Sequence, residues 1–156
     1  MGVESGSQRI LDAMDKGTTV DEVRTATKAL KSAGIRACWF LQLGYPGEQW
    51  DDVLATRDLV RDERPDDVGV SVAYPLPGTK FHAAVRGQLG ARTNWEDTGD
   101  LAMLFQGTYT TAFYRRLRDA LHGEALAANP TRWFALGEEE SAHRSHAPTE
   151  IADAVG

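Results

Sequence analysis

Three short loops in the first half of the chain combine glycine with side chains that can bind a polar ligand. They are GVESGS at residues 2–7, LGYPGE at residues 43–48 and YPLPGT at residues 74–79. Glycine lets a ligand approach the backbone closely. An ionised carboxylate such as Glu4 or Glu48 only accepts hydrogen bonds, so it suits ribose hydroxyls or an ammonium group better than a bare polyphosphate. These loops form the candidate binding site.

Helices and strands alternate between the loops. Thr19 and Glu22 have the spacing of a capping box, which predicts a helix that ends near Gly34. Residues 35–44 then read as a strand with apolar side chains on both faces, residues 49–64 as a helix, and residues 68–74 as a second strand. This alternation predicts an α/β fold with a parallel sheet and right-handed crossovers. In such folds ligands bind beyond the carboxyl ends of the strands, where the three loops fall.

The lone cysteine, Cys38, lies within the first of these strands. A parallel strand is normally buried on both faces, so we expect Cys38 to be a buried, inert thiol and not a nucleophile. One cysteine also excludes an internal disulfide framework and a cysteine-only metal site within a single chain. His143 and His146 lie in a polar stretch, and no metal site is predicted there.

Composition limits the classes of partner. The formal net charge is -6, which argues against a nucleic-acid-binding surface. No apolar run is long enough to span a bilayer, and the N-terminal residues lack a signal-peptide pattern, so no membrane association is expected and the cytoplasm is the expected compartment. Neither a Walker motif nor a nucleophile-elbow motif is present. The catalytic residues are not identified from these patterns.

The second half of the chain is predicted to be a helical extension. Residues 87–100 read as a loop, and TAFYRRLRDALHGEAL at residues 111–126 reads as an amphipathic helix. From residue 138 onward the chain is polar with few large apolar residues, which predicts a disordered tail. The predicted organisation is therefore a catalytic-domain segment at residues 1–86, a helical C-terminal extension at residues 87–137 and a tail at residues 138–156.

Four segments of the chain resemble one enzyme superfamily. GVESGSQRILDAMDKGTT, LKSAGI, FLQLGYPGEQWDDVLAT and AYPLPGTKF occur in the order and at the spacing of the radical S-adenosylmethionine (SAM) enzymes, over roughly residues 2–82. Within the superfamily they are most similar to the branch that often carries an N-terminal cobalamin-binding domain. The resemblance implies the C-terminal half of a (βα)6 partial TIM-type barrel, with the three loops after its fourth, fifth and sixth strands.

The resemblance also implies a role for the loop residues. Glu4 and Ser5 would contact the ribose or the methionine part of SAM. Gln42 would face either the substrate cavity or a second layer of packing. The other cofactor-binding residues would come from the second and third loops: Gly44, Pro46, Gly47, Glu48, Pro77 and Gly78.

The implied cofactors are SAM, a 4Fe-4S cluster and, in the cobalamin-binding branch, cobalamin. The superfamily holds its cluster with three cysteines spaced C-x-x-x-C-x-x-C after the first barrel strand, a motif that this sequence lacks. The intact enzyme would cleave SAM reductively to a 5′-deoxyadenosyl radical and use it for methyl transfer or cyclisation on a small-molecule substrate. This chain alone is expected to be inactive, and its expected partner is the missing N-terminal half of the barrel.

Two alternatives remain open. One is a cluster-free accessory or nucleoside-binding module that is derived from a half-barrel. The other is a methylthiotransferase that acts on tRNA, which the acidic character of the tail disfavours.

Overall fold

The computed structural model describes residues 1–90, 101 and 103–145. The strands are β1 (Gly2–Glu4), β2 (Cys38–Leu43) and β3 (Asp67–Val72). The helices are α1 (Gln8–Ala13), α2 (Val20–Ser32), α3 (Trp50–Glu63), α4 (Lys80–Leu89), α5 (Thr111–Leu126) and α6 (Pro130–Glu139), and a 3-10 helix follows at Glu140–His143. Residues 91–100 of the predicted loop lie outside the described residues.

The three strands form a parallel sheet in the order β1-β2-β3. Strands β2 and β3 pair in continuous register from Cys38 with Asp67 to Leu43 with Val72. Helices α1 and α2 connect β1 to β2, and α3 connects β2 to β3, in the alternation that the sequence predicted. The α/β class and the parallel sheet are confirmed, whereas membership of a six-unit barrel stays a prediction.

Local sequence explains where the helices begin and end. The Thr19 hydroxyl accepts from the backbone N–H of Glu22, and the Glu22 carboxylate accepts from the N–H of Thr19 at 2.7 Å, so the predicted capping box is present at the start of α2. Helix α3 ends at Glu63, and its C-cap residue Arg64 has a left-handed backbone with φ of 47°, immediately before Pro65. Proline cannot continue a helix because it lacks the N–H donor.

One face of the sheet is packed against helices. Trp39, Leu41 and Leu43 of β2 are at most 1% exposed. They share a core with residues of α3 and α5, including Val53, Leu59, Val60, Phe113, Leu117 and Leu121. Helix α5, from the C-terminal half of the chain, lies against β3. The extension therefore belongs to the same core as the sheet.

The opposite face of the sheet is open, which corrects two expectations. Phe40 is 65% exposed and Cys38 is also exposed, although the sequence predicted a strand buried on both faces and a buried thiol. The Phe40 ring lies over Gly69 of β3, at the place where a side chain on residue 69 would otherwise stand. The apolar residues on this side of β2 form a face that is suited to packing against another surface, but no described residue packs against it.

The prediction of a disordered tail from residue 138 is wrong for residues 138–145. These residues form the end of α6, the 3-10 helix and a bridge between Tyr109 and Arg144. The Tyr109 hydroxyl donates to the Glu140 carboxylate at 2.6 Å, and the Arg144 guanidinium binds the same carboxylate oxygen. Composition suggested disorder because these stabilising contacts are polar. Residues 146–156 lie outside the described residues.

Candidate functional site

The carboxyl ends of the three strands meet at one edge of the sheet. Glu4 ends β1, Leu43 ends β2 and Val72 ends β3, and one of the three glycine-containing segments lies at each of these strand ends. A cleft of about 420 Å³ lies at this edge, within the range of small-molecule sites. Twelve residues line it: Glu4, Ala13, Met14, Asp15, Lys16, Gln42, Tyr45, Tyr74, Leu76, Thr79, Lys80 and Phe81.

Glu4 points an acidic group into the cleft from a strained backbone. Its φ is 63°, in the left-handed region that non-glycine residues rarely adopt. The N–H of Ser5 donates to the carbonyl of Val3 at 2.8 Å, so Glu4 is the centre of a three-residue turn. Its carboxylate accepts a hydrogen bond from the ammonium group of Lys16 at 2.7 Å. A carboxylate and an ammonium group therefore stand side by side at the cleft.

The next three residues face away from the cleft. Ser5 is fully buried, and its hydroxyl contacts the Thr56 hydroxyl of α3 at 3.2 Å. Gly6 lies directly against α3, since a Cβ on residue 6 would stand 2.5 Å from the carbonyl oxygen of Ala55. The Ser7 hydroxyl donates to the Asp52 carboxylate at 2.7 Å and makes no helix cap, although Ser7 occupies the N-cap position of α1. The residues after Glu4 thus attach the loop to α3.

Glu48 holds the second loop together from inside. Its side chain is fully buried, and one carboxylate oxygen accepts from the N–H of Gly44 at 2.7 Å. The other oxygen, Oε1, has no hydrogen-bond partner. Burial raises the pKa of Glu48 to about 8, partly offset by the Gly44 hydrogen bond and the positive charge of Arg9, while the charge of Asp52 raises it further. Glu48 is therefore a neutral carboxylic acid near pH 7, and it does not reach the cleft.

The extension also contacts this loop. The Thr108 hydroxyl donates to the backbone carbonyl of Glu48 at 2.7 Å. A Cβ on Gly44, whose φ is 78°, would stand 3.0 Å from both Met103 and the Tyr114 ring. Gly44 is needed here for its left-handed backbone and for this close packing.

The remaining predicted residues border the cleft without lining it. Gly44, Pro46 and Gly47 shape the loop that carries Tyr45, whereas Pro77 and Gly78 are exposed and lie between the lining residues Leu76 and Thr79. Of the nine predicted residues, the structure places Glu4 and Gln42 in the wall of the cleft.

Sequence reasoning missed two kinds of lining residue. Lys16 lies twelve positions after Glu4, beyond helix α1, and no local sequence pattern indicates that the chain returns there to Glu4. The Tyr45 hydroxyl donates to the carbonyl of Ala13 at 2.9 Å, and its ring lies 5.0 Å from that of Phe81. The aromatic residues beside the glycines, Tyr45 and Tyr74, were the available indication of this wall.

The described residues do not fit an iron-sulfur cluster. Cys38 begins β2, whereas the cleft lies beyond its end at Leu43, roughly 16 Å away at the usual rise per residue of a strand. Among residues 1–90, 101 and 103–145, no three histidine, cysteine, aspartate or glutamate side chains are grouped closely enough to bind a metal ion. No helix in this part of the chain is sufficiently long and apolar to cross a membrane.

Comparisons with known proteins single out the first part of the chain. Residues 1–60 match the family model described as the radical SAM superfamily. A Methanocaldococcus jannaschii protein named as a proposed methylthiotransferase is 40% identical over 80 residues, which cover 51% of this chain and 18% of that protein. An uncharacterised methyltransferase of Pyrococcus horikoshii is 33% identical over 95 residues, covering 60% of this chain and 21% of that protein.

A third similar protein has a more specific name. The tRNA-2-methylthio-N(6)-dimethylallyladenosine synthase of a Sulfurihydrogenibium species is 34% identical over 79 residues, which cover 49% of this chain and 18% of that protein. The match with each of these three relatives spans about a fifth of the relative's own length.

Proposed function

We propose that the chain forms part of the SAM pocket of a radical SAM enzyme, because its residues 1–60 match the family model of that superfamily. The observation that carries the proposal is the cleft at the carboxyl ends of three parallel strands, with Glu4 and Gln42 in its wall. SAM bound at a 4Fe-4S cluster supplies the radical chemistry in this superfamily. The chain's own residues would bind and orient SAM.

The chemistry of the cleft residues matches the parts of SAM. The Glu4 carboxylate has a second oxygen besides the one that Lys16 contacts, and two carboxylate oxygens can accept from adjacent ribose hydroxyls. The Lys16 ammonium group suits the methionine carboxylate, because it carries the opposite charge and can donate hydrogen bonds to it. The tilted Tyr45 and Phe81 rings give an apolar wall against which an adenine could lie.

The cluster ligands must come from outside the described residues. We propose that the missing N-terminal half of a barrel supplies them and covers the open face of the sheet, since parallel sheets are normally covered on both faces. The exposed Phe40 ring supports this proposal. Without that half, we expect the chain to bind SAM weakly and to be catalytically inactive. We also propose that the enzyme acts in the cytoplasm. The use of cobalamin stays a prediction from the resemblance.

The first test measures the binding of S-adenosylhomocysteine, a stable analogue of SAM, by isothermal titration calorimetry. We expect Glu4→Gln to weaken the affinity about tenfold or more, because a hydrogen bond to a charged group is lost. Glu138→Gln changes an exposed carboxylate on α6 and serves as the matched control. Equal affinity of the wild-type protein and Glu4→Gln would contradict the proposal.

Anaerobic reconstitution with iron and sulfide separates this function from the cluster-free alternative. Neither the fragment nor an accessory module has cluster ligands, so neither should develop the absorbance near 400 nm that is roughly expected of thiolate-bound clusters. The N-terminal half of a related barrel brings the cluster ligands, so its absorbance should elute together with this chain in size-exclusion chromatography only if the chain is a fragment of an enzyme. A cluster-free module would bind the nucleoside and elute apart from the coloured half.

The relatives' names support a second candidate, methylthio transfer to tRNA, over the small-molecule substrate that the sequence favoured. The net charge of -6 argues against tRNA contact by this chain itself. A gel-shift titration with unmodified tRNA distinguishes the two candidates. Salt-sensitive binding would favour the tRNA substrate, and its absence in the reassembled protein would favour the small molecule.

A further inference from the structure

Glu4 owes its direction to contacts made by its neighbours in sequence. The φ of 63° is unfavourable for a residue with a β-carbon, so the surrounding structure must hold it. The residues that follow it, Ser5, Gly6 and Ser7, are all attached to the first two turns of α3. These attachments fix the chain immediately after the strained residue.

The Thr56 hydroxyl is the centre of this attachment, and its hydrogen-bonding capacity is full. It donates to the carbonyl of Asp52 at 3.0 Å, in the usual bond of a helical threonine to the residue four positions before it. It therefore accepts from the N–H of Gly6 at 2.9 Å and from the Ser5 hydroxyl at 3.2 Å. One donor and two accepted bonds are all that a hydroxyl provides. A side chain without a hydroxyl, such as valine, cannot make these three bonds.

The Asp52 carboxylate extends the attachment to the second loop. It accepts from the Ser7 hydroxyl and from the backbone N–H of Gln49 at 2.8 Å, and it binds the Arg9 guanidinium. Arg9 also donates to the carbonyl of Gly47 at 2.9 Å. Asp52 thus joins the loop after β1 to the loop after β2.

We propose that Thr56 and Asp52 are positioning residues of the cleft: by attaching the Ser5–Gly6–Ser7 segment to α3, they hold Glu4 in the left-handed conformation that aims its carboxylate at the ligand. This inference rests on the proposed function, because it assigns a purpose to the direction of Glu4. Neither residue contacts the cleft itself, and both lie on the side of the loop away from it.

The decisive test compares Glu4→Gly with Glu4→Ala in two backgrounds by thermal unfolding. Both changes remove the carboxylate, but glycine alone adopts φ of 63° without strain. We expect Glu4→Gly to melt about 2–4 °C higher than Glu4→Ala in the wild-type background. In the Thr56→Val background the loop is released, residue 4 is free to adopt another backbone conformation, and the difference in melting temperature should disappear.

A matched control excludes general loosening of the fold. Thr27 is fully buried on α2, and its hydroxyl donates to the carbonyl of Val23 at 2.8 Å, as that of Thr56 does to Asp52. Thr27→Val should leave the difference between the two Glu4 variants intact, and Thr56→Ser, which retains the hydroxyl, should restore it. An equal difference in the wild-type and Thr56→Val backgrounds, or its loss in Thr27→Val, would overturn the proposal.

Binding of S-adenosylhomocysteine gives the functional readout. Thr56→Val and Asp52→Asn should each weaken binding about tenfold, and combining Thr56→Val with Glu4→Ala should weaken it no further than Glu4→Ala alone. Additive losses would overturn the positioning role. If the wild-type protein does not bind the analogue, the proposed function fails, and the melting comparison still decides whether Thr56 holds Glu4.

Discussion

Glu48 illustrates how one residue can support a site without contacting a ligand. Its carboxyl group is fully buried, its pKa is raised to about 8, and it accepts the N–H of Gly44. A buried carboxyl group that stays protonated escapes the large cost of a buried charge. The second loop is thus held by a neutral acid whose protonation depends on pH.

The free energy of unfolding should therefore decrease as the pH rises through the range in which Glu48 is ionised in the unfolded chain and protonated in the folded one. Below the ordinary pKa of 4.5 both the folded and the unfolded chain carry the proton. As the pH rises from there to about 8 the unfolded chain loses it first, so the contribution of Glu48 falls by up to about 1.4 kcal/mol per pH unit. The decrease ends above the folded pKa.

Glu48→Gln removes this titration while retaining an acceptor for Gly44. We expect the free energy of unfolding of Glu48→Gln, relative to the wild-type protein, to increase between about pH 5 and pH 8 in urea titrations. Other titrating groups cancel in the comparison. A difference that is independent of pH would mean that Glu48 is ionised in the folded state.

Gly6 should tolerate no side chain. A Cβ at this position would stand 2.5 Å from the carbonyl oxygen of Ala55, which is backbone and cannot swing away. We expect Gly6→Ala to destabilise the protein by about 1–3 kcal/mol in urea unfolding. Gly87→Ala is the control, because a Cβ there meets no atom within 4 Å and should stabilise α4 by up to about 1 kcal/mol. Equal effects of the two substitutions would refute the close approach.

Sequence patterns located the loops but not the directions of their side chains. Ser5 and Glu48 were predicted to meet the cofactor, yet both point into the protein, because β1 ends in a tight turn and the second loop folds over its own carboxylate. Glu4 lines the cleft because it is the last residue of β1, at the edge of the sheet where the cleft lies. The contact between Lys16 and Glu4 depends on the direction that the chain takes through α1, and no local sequence pattern predicts that direction.

At the scale of helices, Glu124 connects three elements. From α5 its carboxylate accepts from Arg61 of α3 at 2.6 Å and from the Trp133 indole of α6 at 2.9 Å. Burial raises the pKa of Glu124, but these hydrogen bonds outweigh it and leave the pKa lowered. Because the pKa is lowered, Glu124 stabilises the fold at pH values above its pKa in the unfolded chain, and this contribution is lost as the pH falls through the pKa of the folded state.

Replacing the Glu124 carboxylate with an amide should weaken the attachment of α5 to α3 and α6. Glu124→Gln keeps one acceptor oxygen and turns the other position into a donor, so either Arg61 or Trp133 meets another donor. We expect a loss of about 1–3 kcal/mol in the free energy of unfolding. Glu138→Gln, which changes an exposed side chain of α6, should alter the free energy of unfolding little. The same loss in both variants would exclude a specific role for Glu124.

The helices and strands of the first half could be predicted, because caps, proline and alternating apolar residues act locally. The end of α6 and the 3-10 helix could not, since they are held by Tyr109 bonding to Glu140, two residues far apart in sequence. The packing of α5 on β3 was equally hidden. An amphipathic pattern shows that a helix has a partner without identifying it.

At the scale of the whole molecule, the open face of the sheet is the feature expected to determine association. A large apolar side chain such as Phe40 in the middle of this face favours association with another surface. We expect Phe40→Thr to reduce fluorescence of the dye ANS and self-association in sedimentation, with unchanged helix content by circular dichroism. Phe134→Thr is the matched control, since Phe134 is 69% exposed on α6. An equal reduction in both variants would show that the open face is not special.

Cys38 turns this open face into a surface that can be followed in real time. The chain has a single cysteine, and it is exposed beside Phe40. Alkylation with a maleimide therefore labels one known position on the uncovered side of the sheet. A half-barrel that docks there should slow the labelling in proportion to its occupancy, so the reaction rate of one thiol measures an assembly equilibrium without any knowledge of the substrate.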